Sequence, residues 1–128
     1  NMDNVSFFPA VNNYMEKLKD LDLVLDSFPY VGGSTTLDAI YMGIPVLTLY
    51  SERRSTRFGL SILTNIGVGD LAVNSIEDYI NRAVALVSDI ETLDVLHKNL
   101  RTMLEKSNPL NTFYYTKLIE QALISIYE

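Results

Sequence analysis

The chain has 128 residues, enough for one domain with a single contiguous core and too few for two. Hydrophobic residues make up 48% and charged residues 20%, a globular composition, and the absence of cysteine excludes disulfides, thiolate nucleophiles and Cys-ligated zinc. The single histidine, His97, cannot form a His-rich metal cluster, and the formal net charge of −6 argues against a nucleic-acid surface, so a bound anion must be held by local backbone donors.

Val5 to Phe8 is a short apolar run closed by Pro9 and is predicted as a strand. Asn12 to Lys19 is polar, with Val11, Met15 and Leu18 at helical spacing. Leu21 to Asp26 is a second predicted strand, apolar enough to be buried. Ser34 to Met42 is a predicted helix with Leu37, Ile40 and Tyr41 on one face, ended by Gly43. Pro45 to Leu49 is the third strand, and Thr56 to Ile66 a helix stopped by Gly67. Ser75 to Val87 carries Ile76, Tyr79, Ile80, Ala83, Val84 and Val87 in an amphipathic spacing. Ser88-Asp89-Ile90-Glu91 has the form of a capping box, from which a new helix runs through Leu93, Leu96, Leu100 and Met103. After Pro109 and Asn111 a last helix turns Leu118, Ile119, Ala122 and Ile126 to one side.

Strand–helix alternation followed by helices alone predicts an α/β fold: a Rossmann-like small parallel sheet of three or four strands flanked by helices, half of a doubly wound fold, with a helical C-terminal part. The chain reads as a single domain over residues 1–128. The longest apolar stretches, such as Ile44 to Leu49, fall far short of the roughly 18 residues of a membrane helix, so no membrane span is expected. The N-terminus lacks the basic start and apolar run of a secretory signal, and a cytoplasmic location is expected. It begins almost inside a strand, as a piece of a longer protein would.

The stretch that carries chemistry is Asp26 to Asp38, DSFPYVGGSTTLD. It follows the carboxyl end of a buried strand and opens a helix, the place where open α/β sheets bind ligands. Gly32 and Gly33 remove side-chain bulk so that an anion can approach the backbone. Ser34, Thr35 and Thr36 add hydroxyl donors beside the unpaired N–H groups of the first helical turn. Asp38, four residues after Ser34, shares its helix face and suits the vicinal hydroxyls of a ribose. Phosphate donors followed one turn later by a ribose acceptor describe a nucleotide site. The same residues also read as a plain turn and helix cap, with Asp38 merely complementing the dipole. The pattern matches neither the Walker A loop nor the dinucleotide fingerprint.

The run from Leu25 through Asp38, with Ala39, Tyr41, Gly43, Ile44, Pro45 and the strand to Leu49, resembles the C-terminal donor-binding domain of the O-GlcNAc transferase family and its bacterial relatives. The resemblance continues through Glu52, Ser55-Thr56-Arg57, Gly59, Ser61, Leu63, Glu77, Tyr79 and Ser107 to Leu110, nearly the whole chain beyond residue 20. It implies half of a GT-B fold that binds a UDP-sugar, UDP-GlcNAc or a related hexose donor, for inverting transfer without a metal or other cofactor. It assigns Gly33, Ser34 and Thr35 to the diphosphate and Asp38 to the ribose. The partners it implies are an N-terminal acceptor domain of the same protein and an acceptor protein or glycan, so that this segment alone is inactive and holds no catalytic residue.

Two positions depart from the family pattern. Gly33 stands where the family usually has a histidine, and Tyr14 stands where a histidine meets the uracil ring. Tyr14 is therefore either a stacking aromatic or a helix-packing residue. Lys17 lies near enough in sequence to reach the nucleotide or to remain in solvent, and a phosphate-binding lysine of the family falls upstream of this chain.

Glu52, Arg53, Arg54 and Arg57 form a dense charge cluster after the third strand. An ion-pair network with Glu52 is expected for Arg53 and Arg54, and Arg57 either braces the loop or approaches the diphosphate. His97 reads as a half-exposed structural residue. Phe113-Tyr114-Tyr115 reads as an anchor for the last helix. Beside the transferase reading stands a non-catalytic GT-B-like module that stabilises a partner glycosyltransferase, kept open by Gly33. A different GT-B enzyme, such as a nucleotide-sugar epimerase, is the third reading.

Overall fold

Four consecutive residues, Val46–Leu49 (β2), are fully buried, a pattern that only a strand covered on both faces can sustain. In a computed structural model that describes residues 2–127, β2 is the centre of a three-stranded parallel sheet. β1 (Val24–Leu25) pairs along one side, with Val24 opposite Val46 and Leu25 opposite Leu47. β3 (Ala72–Val73) pairs along the other, with Thr48 opposite Ala72 and Leu49 opposite Val73.

Among the described residues, six α-helices surround the sheet. α1 (Tyr14–Leu18) precedes β1, α2 (Ser34–Tyr41) joins β1 to β2, and α3 (Phe58–Ile66) lies between β2 and β3. α4 (Ile76–Ser88), α5 (Ile90–Glu105) and α6 (Thr112–Tyr127) follow. Ala39 and Ile40 of α2, Leu63 and Ile66 of α3, and Leu100 and Leu104 of α5 form one buried cluster with Val46. Burial of each such aliphatic side chain contributes roughly 1.5–3 kcal/mol, and this cluster fixes α2 against the sheet. The turn from α2 into β2 depends on Gly43, whose φ of +84° favours glycine; a Cβ there would also lie 2.8 Å from the His97 carbonyl oxygen of α5. His97 in turn sets its Nε2 3.0 Å from the Asp22 carbonyl oxygen, tying α5 to the entrance of β1.

The α/β class, the parallel sheet and the helical C-terminal part agree with the sequence reading, while four details differ. Val5 to Phe8 forms no strand: no neighbouring strand pairs with it, and Phe7 and Phe8 are 85% and 87% exposed. β3 was not foreseen, because two residues carry no readable period. The helix after Ser88 begins one residue later than the capping box implied. Asp89 is the cap, accepting the Thr92 N–H at 3.0 Å, while Ser88 still belongs to α4 and donates to the Val84 carbonyl at 2.7 Å. Finally, α6 forms where expected but buries no residue; Leu118, Ile119 and Ile126 are exposed.

Candidate functional site

The site is organised by Asp26, the first residue beyond β1. Its Oδ1 accepts the Gly32 N–H at 2.8 Å and its Oδ2 accepts the Thr48 hydroxyl at 2.7 Å. Its carbonyl oxygen accepts the Tyr79 hydroxyl from α4 at 2.8 Å, and burial and the nearby Asp26 charge raise the Tyr79 pKa. One residue thus ties the loop at 26–33 to the central strand and to α4. Within the loop, the Phe28–Pro29 peptide is cis and the Ser27 hydroxyl donates to the Tyr30 carbonyl at 2.5 Å.

The two glycines do different work. The Gly32 N–H is already engaged by Asp26, so Gly32 is not available as an anion donor through that group. A Cβ on Gly32 would lie 2.6 Å from Thr35 Oγ1 and 2.8 Å from Thr36 Oγ1, so its missing side chain serves close packing of the turn on the helix. Gly33 is the N-cap of α2, and a Cβ there would meet nothing within 4 Å. The first α-helical bond of α2 runs from the Leu37 N–H to the Gly33 carbonyl at 3.1 Å, and no side chain caps the helix. The N–H groups of Ser34, Thr35 and Thr36 therefore precede the helical ladder, with the positive end of the helix dipole behind them. Ser34 and Thr35 are exposed, but Thr36 is 3% exposed and its side chain packs inward.

Asp38 lies one turn further along α2, half-buried, and its Oδ2 accepts a hydrogen bond from the Tyr14 hydroxyl of α1. That bond, followed by desolvation and the carboxylate's charge, raises the Tyr14 pKa. Tyr14 stands between two clefts. One, of about 180 Å³, is lined by Asp26, Thr35, Thr36 and Ala39; the other, of about 400 Å³, is lined by Phe8, Val11, Lys17 and Leu21. Lys17 is exposed on the rim of the second.

The Arg57 Nε donates to the Ser51 carbonyl oxygen at 2.8 Å. Thr56, almost fully buried, accepts the Ser51 N–H at 2.9 Å and donates to the Arg53 carbonyl at 2.8 Å, closing the turn after β2. No ion pair joins Glu52 to Arg53 or Arg54; the pairs Lys98–Asp94 and Arg101–Glu105 both run along α5. Among the described residues, no group of three or more His, Asp or Glu side chains gathers to hold a metal ion, and no helix is long and apolar enough to cross a membrane.

The family model for glycosyl transferase family 41 matches residues 7–119. The chain belongs to that family. A relative from Hordeum vulgare, named as a probable UDP-N-acetylglucosamine–peptide N-acetylglucosaminyltransferase SPINDLY, is 33% identical to this family 41 chain over 126 residues. That match takes in 96% of the chain and 13% of the relative. The Arabidopsis thaliana protein of the same type named SEC is 32% identical over 108 residues, covering 83% of the chain and 11% of that protein. Among solved structures, a Thermobaculum terrenum O-GlcNAc transferase variant superposes with a TM-score of 0.79 at 30% identity, over 89% of the family 41 chain and 22% of the other. The family 41 chain thus spans about one-eighth of the length of the SPINDLY relative it matches, and the match takes in Tyr14, Gly32 to Thr36, Asp38 and Arg57.

Proposed function

We propose that this chain is the donor-binding part of a hexosyltransferase and holds a UDP-sugar, UDP-GlcNAc or a close relative, for transfer to a protein or glycan acceptor. The observation that carries the reading is the open first turn of α2: three N–H groups without helical partners, at the carboxyl end of β1, one turn ahead of the Asp38 carboxylate. The names of the relatives support the sugar and the acceptor class.

In this reading the Ser34, Thr35 and Thr36 amides and the Ser34 and Thr35 hydroxyls donate to the diphosphate. Asp38 accepts a ribose hydroxyl on Oδ1 while Tyr14 orients it through Oδ2. As the bond from the sugar to the leaving UDP breaks, negative charge grows on the β-phosphate, and the fixed amide dipoles of the helix start stabilise it without reorganisation. No metal is required for that step. The open space beside Gly33 gives the donor room where a family histidine would stand. The acceptor domain and the group that takes up the acceptor's proton lie in the rest of a polypeptide of the relatives' length.

Calorimetric titration with UDP, GDP and dTDP tests the proposal. UDP is expected to bind most tightly, with at least a tenfold loss in Asp38→Ala, on the order of the 1.5–3 kcal/mol of a hydrogen bond to a charged group. Silence toward all three nucleotides would overturn it.

A further inference from the structure

Within the buried run of β2, Thr48 alone carries a polar side chain, and it has no exposure at all. A valine fills nearly the same space without the cost of taking a hydroxyl out of water, so packing does not account for the threonine. What the hydroxyl adds is a direction: it donates to Asp26 Oδ2 at 2.7 Å. The start of α3 holds it there. A Cβ on Gly59, the second residue of α3, would lie 2.6 Å from Thr48 Oγ1 and 2.8 Å from its Cγ2, so the helix abuts the threonine side chain directly.

Tyr79 reaches the same residue from α4, its hydroxyl donating to the Asp26 carbonyl oxygen at 2.8 Å. A phenylalanine ring would pack as well, and the hydroxyl again supplies a fixed direction. Asp26 is thus held by its backbone and by its carboxylate, from two elements distant in sequence. It passes that position on. Its Oδ1 accepts the Gly32 N–H at 2.8 Å and would meet a Cβ on Gly32 at 3.3 Å, while Thr35 and Thr36 close on Gly32 from the other side. The residue ahead of the α2 N-cap is therefore seated between Asp26 and the first helical turn. No side chain caps α2, so its start takes its place from Gly32.

We propose that Thr48 and Tyr79, with Gly59 bracing Thr48, are positioning residues of the donor site. Through Asp26 and Gly32 they set where the unpaired N–H groups of Ser34, Thr35 and Thr36 lie. This inference rests on the donor reading above and adds residues that the reading does not use. Fixed dipoles stabilise charge only when they are held to within about 0.5 Å of the productive geometry. An anchor that has lost one of its bonds lets the helix start range more widely. The loss falls on the diphosphate, which those amides hold, and spares the nucleoside, which meets Asp38 one turn on.

NMR-monitored titration of the chain with UDP and with uridine reads the two parts separately. Thr48→Val and Tyr79→Phe, each close in shape to the residue replaced, are expected to weaken UDP about tenfold and to leave uridine unchanged. Thr48→Ser restores the hydroxyl and is expected to recover most of the UDP affinity. Gly59→Ala is expected to behave like Thr48→Val, because the added methyl displaces the threonine side chain. Asp89→Ala, which weakens the chain through the α5 cap, is expected to leave UDP affinity unchanged and so separates a folding defect from a positioning one. Tyr79→Phe, at a half-buried position, keeps the comparison available should Thr48→Val unfold. UDP affinity unaltered in these variants overturns the inference while the donor reading stands. So does an equal loss of UDP and uridine, or a Thr48→Ser chain as weak as Thr48→Val. A wild-type chain that binds no nucleotide overturns the donor reading and this inference with it.

Discussion

Both carboxylate oxygens of Asp26 are occupied, by the Gly32 N–H and by the hydroxyl of Thr48, a residue with no exposure at all. Replacing Asp26 with alanine leaves the Thr48 hydroxyl buried without its acceptor, a loss of about 1–3 kcal/mol, and releases the loop that presents α2. Chemical denaturation is expected to register that loss, and UDP affinity to fall with it; Asp26→Asn, which keeps one acceptor oxygen, is expected to recover part of both. Tyr14 makes a second prediction. Its hydroxyl donates to Asp38, which holds its folded pKa above the unfolded value near 10. The stability from this bond is fully present below pH about 10 and is lost as pH rises through the folded pKa. Ultraviolet titration of the phenolates is expected to show Tyr14 and Tyr79 ionising late in the native chain, and one fewer late-ionising tyrosine in Asp38→Ala. The placement of Ser34, Thr35 and Asp38 on one helix start was legible in the sequence, because a single helix fixes all three. The bonds that complete the site were not, since Tyr14 and Asp38 lie 24 residues apart, Asp26 and Thr48 22 apart, and Tyr79 and Asp26 53 apart. A threonine inside the apolar run of β2 was the available sign that something polar had to meet it.

At the scale of elements, long periodic segments could be read and short or dependent ones could not. α4 and α5 repeat their apolar positions over 13 and 16 residues, so their existence was plain. The start of α5 was displaced by one residue because Ser88 and Asp89 both have cap chemistry, and only the fold decides which backbone leaves the helical region. Asp89 does, at φ −110° and ψ 83°. Asp89→Ala is expected to lower the midpoint of thermal unfolding, with Ser88→Ala changing it little. The hydrogen bonds from Thr92 lower the Asp89 pKa below the usual carboxylate value. The cap's contribution is therefore present above pH about 4 and disappears as pH falls through the lowered pKa, so wild type and Asp89→Ala are expected to converge in strong acid. Val5 to Phe8 failed as a strand for a different reason. A strand is stable only against a neighbour, and its apolar residues promise nothing about whether that neighbour lies within the same 128 residues.

Across the whole molecule, apolar surface is divided unevenly. α2, α3 and α5 send aliphatic side chains into the buried cluster that holds Val46, whereas α6 meets chiefly the turn at 108–110 and leaves Phe113, Leu118, Ile119, Leu123, Ile124 and Ile126 exposed. A helix of 16 residues is marginal in water without tertiary packing, and α6 has almost none. It should open independently of the core. The α6 amides are expected to exchange within the fastest class of the chain while those around Leu100 exchange only on global unfolding. Truncation after Asn111 is then expected to leave the thermal midpoint within about 2 °C, since the deleted segment contributes no buried side chain. The same truncation removes the largest run of exposed apolar side chains, so binding of a hydrophobic dye should fall sharply. A midpoint lowered by 5 °C or more, on the order of losing a core contact, would mean that α6 folds back onto the domain and that its apolar residues belong to the core after all.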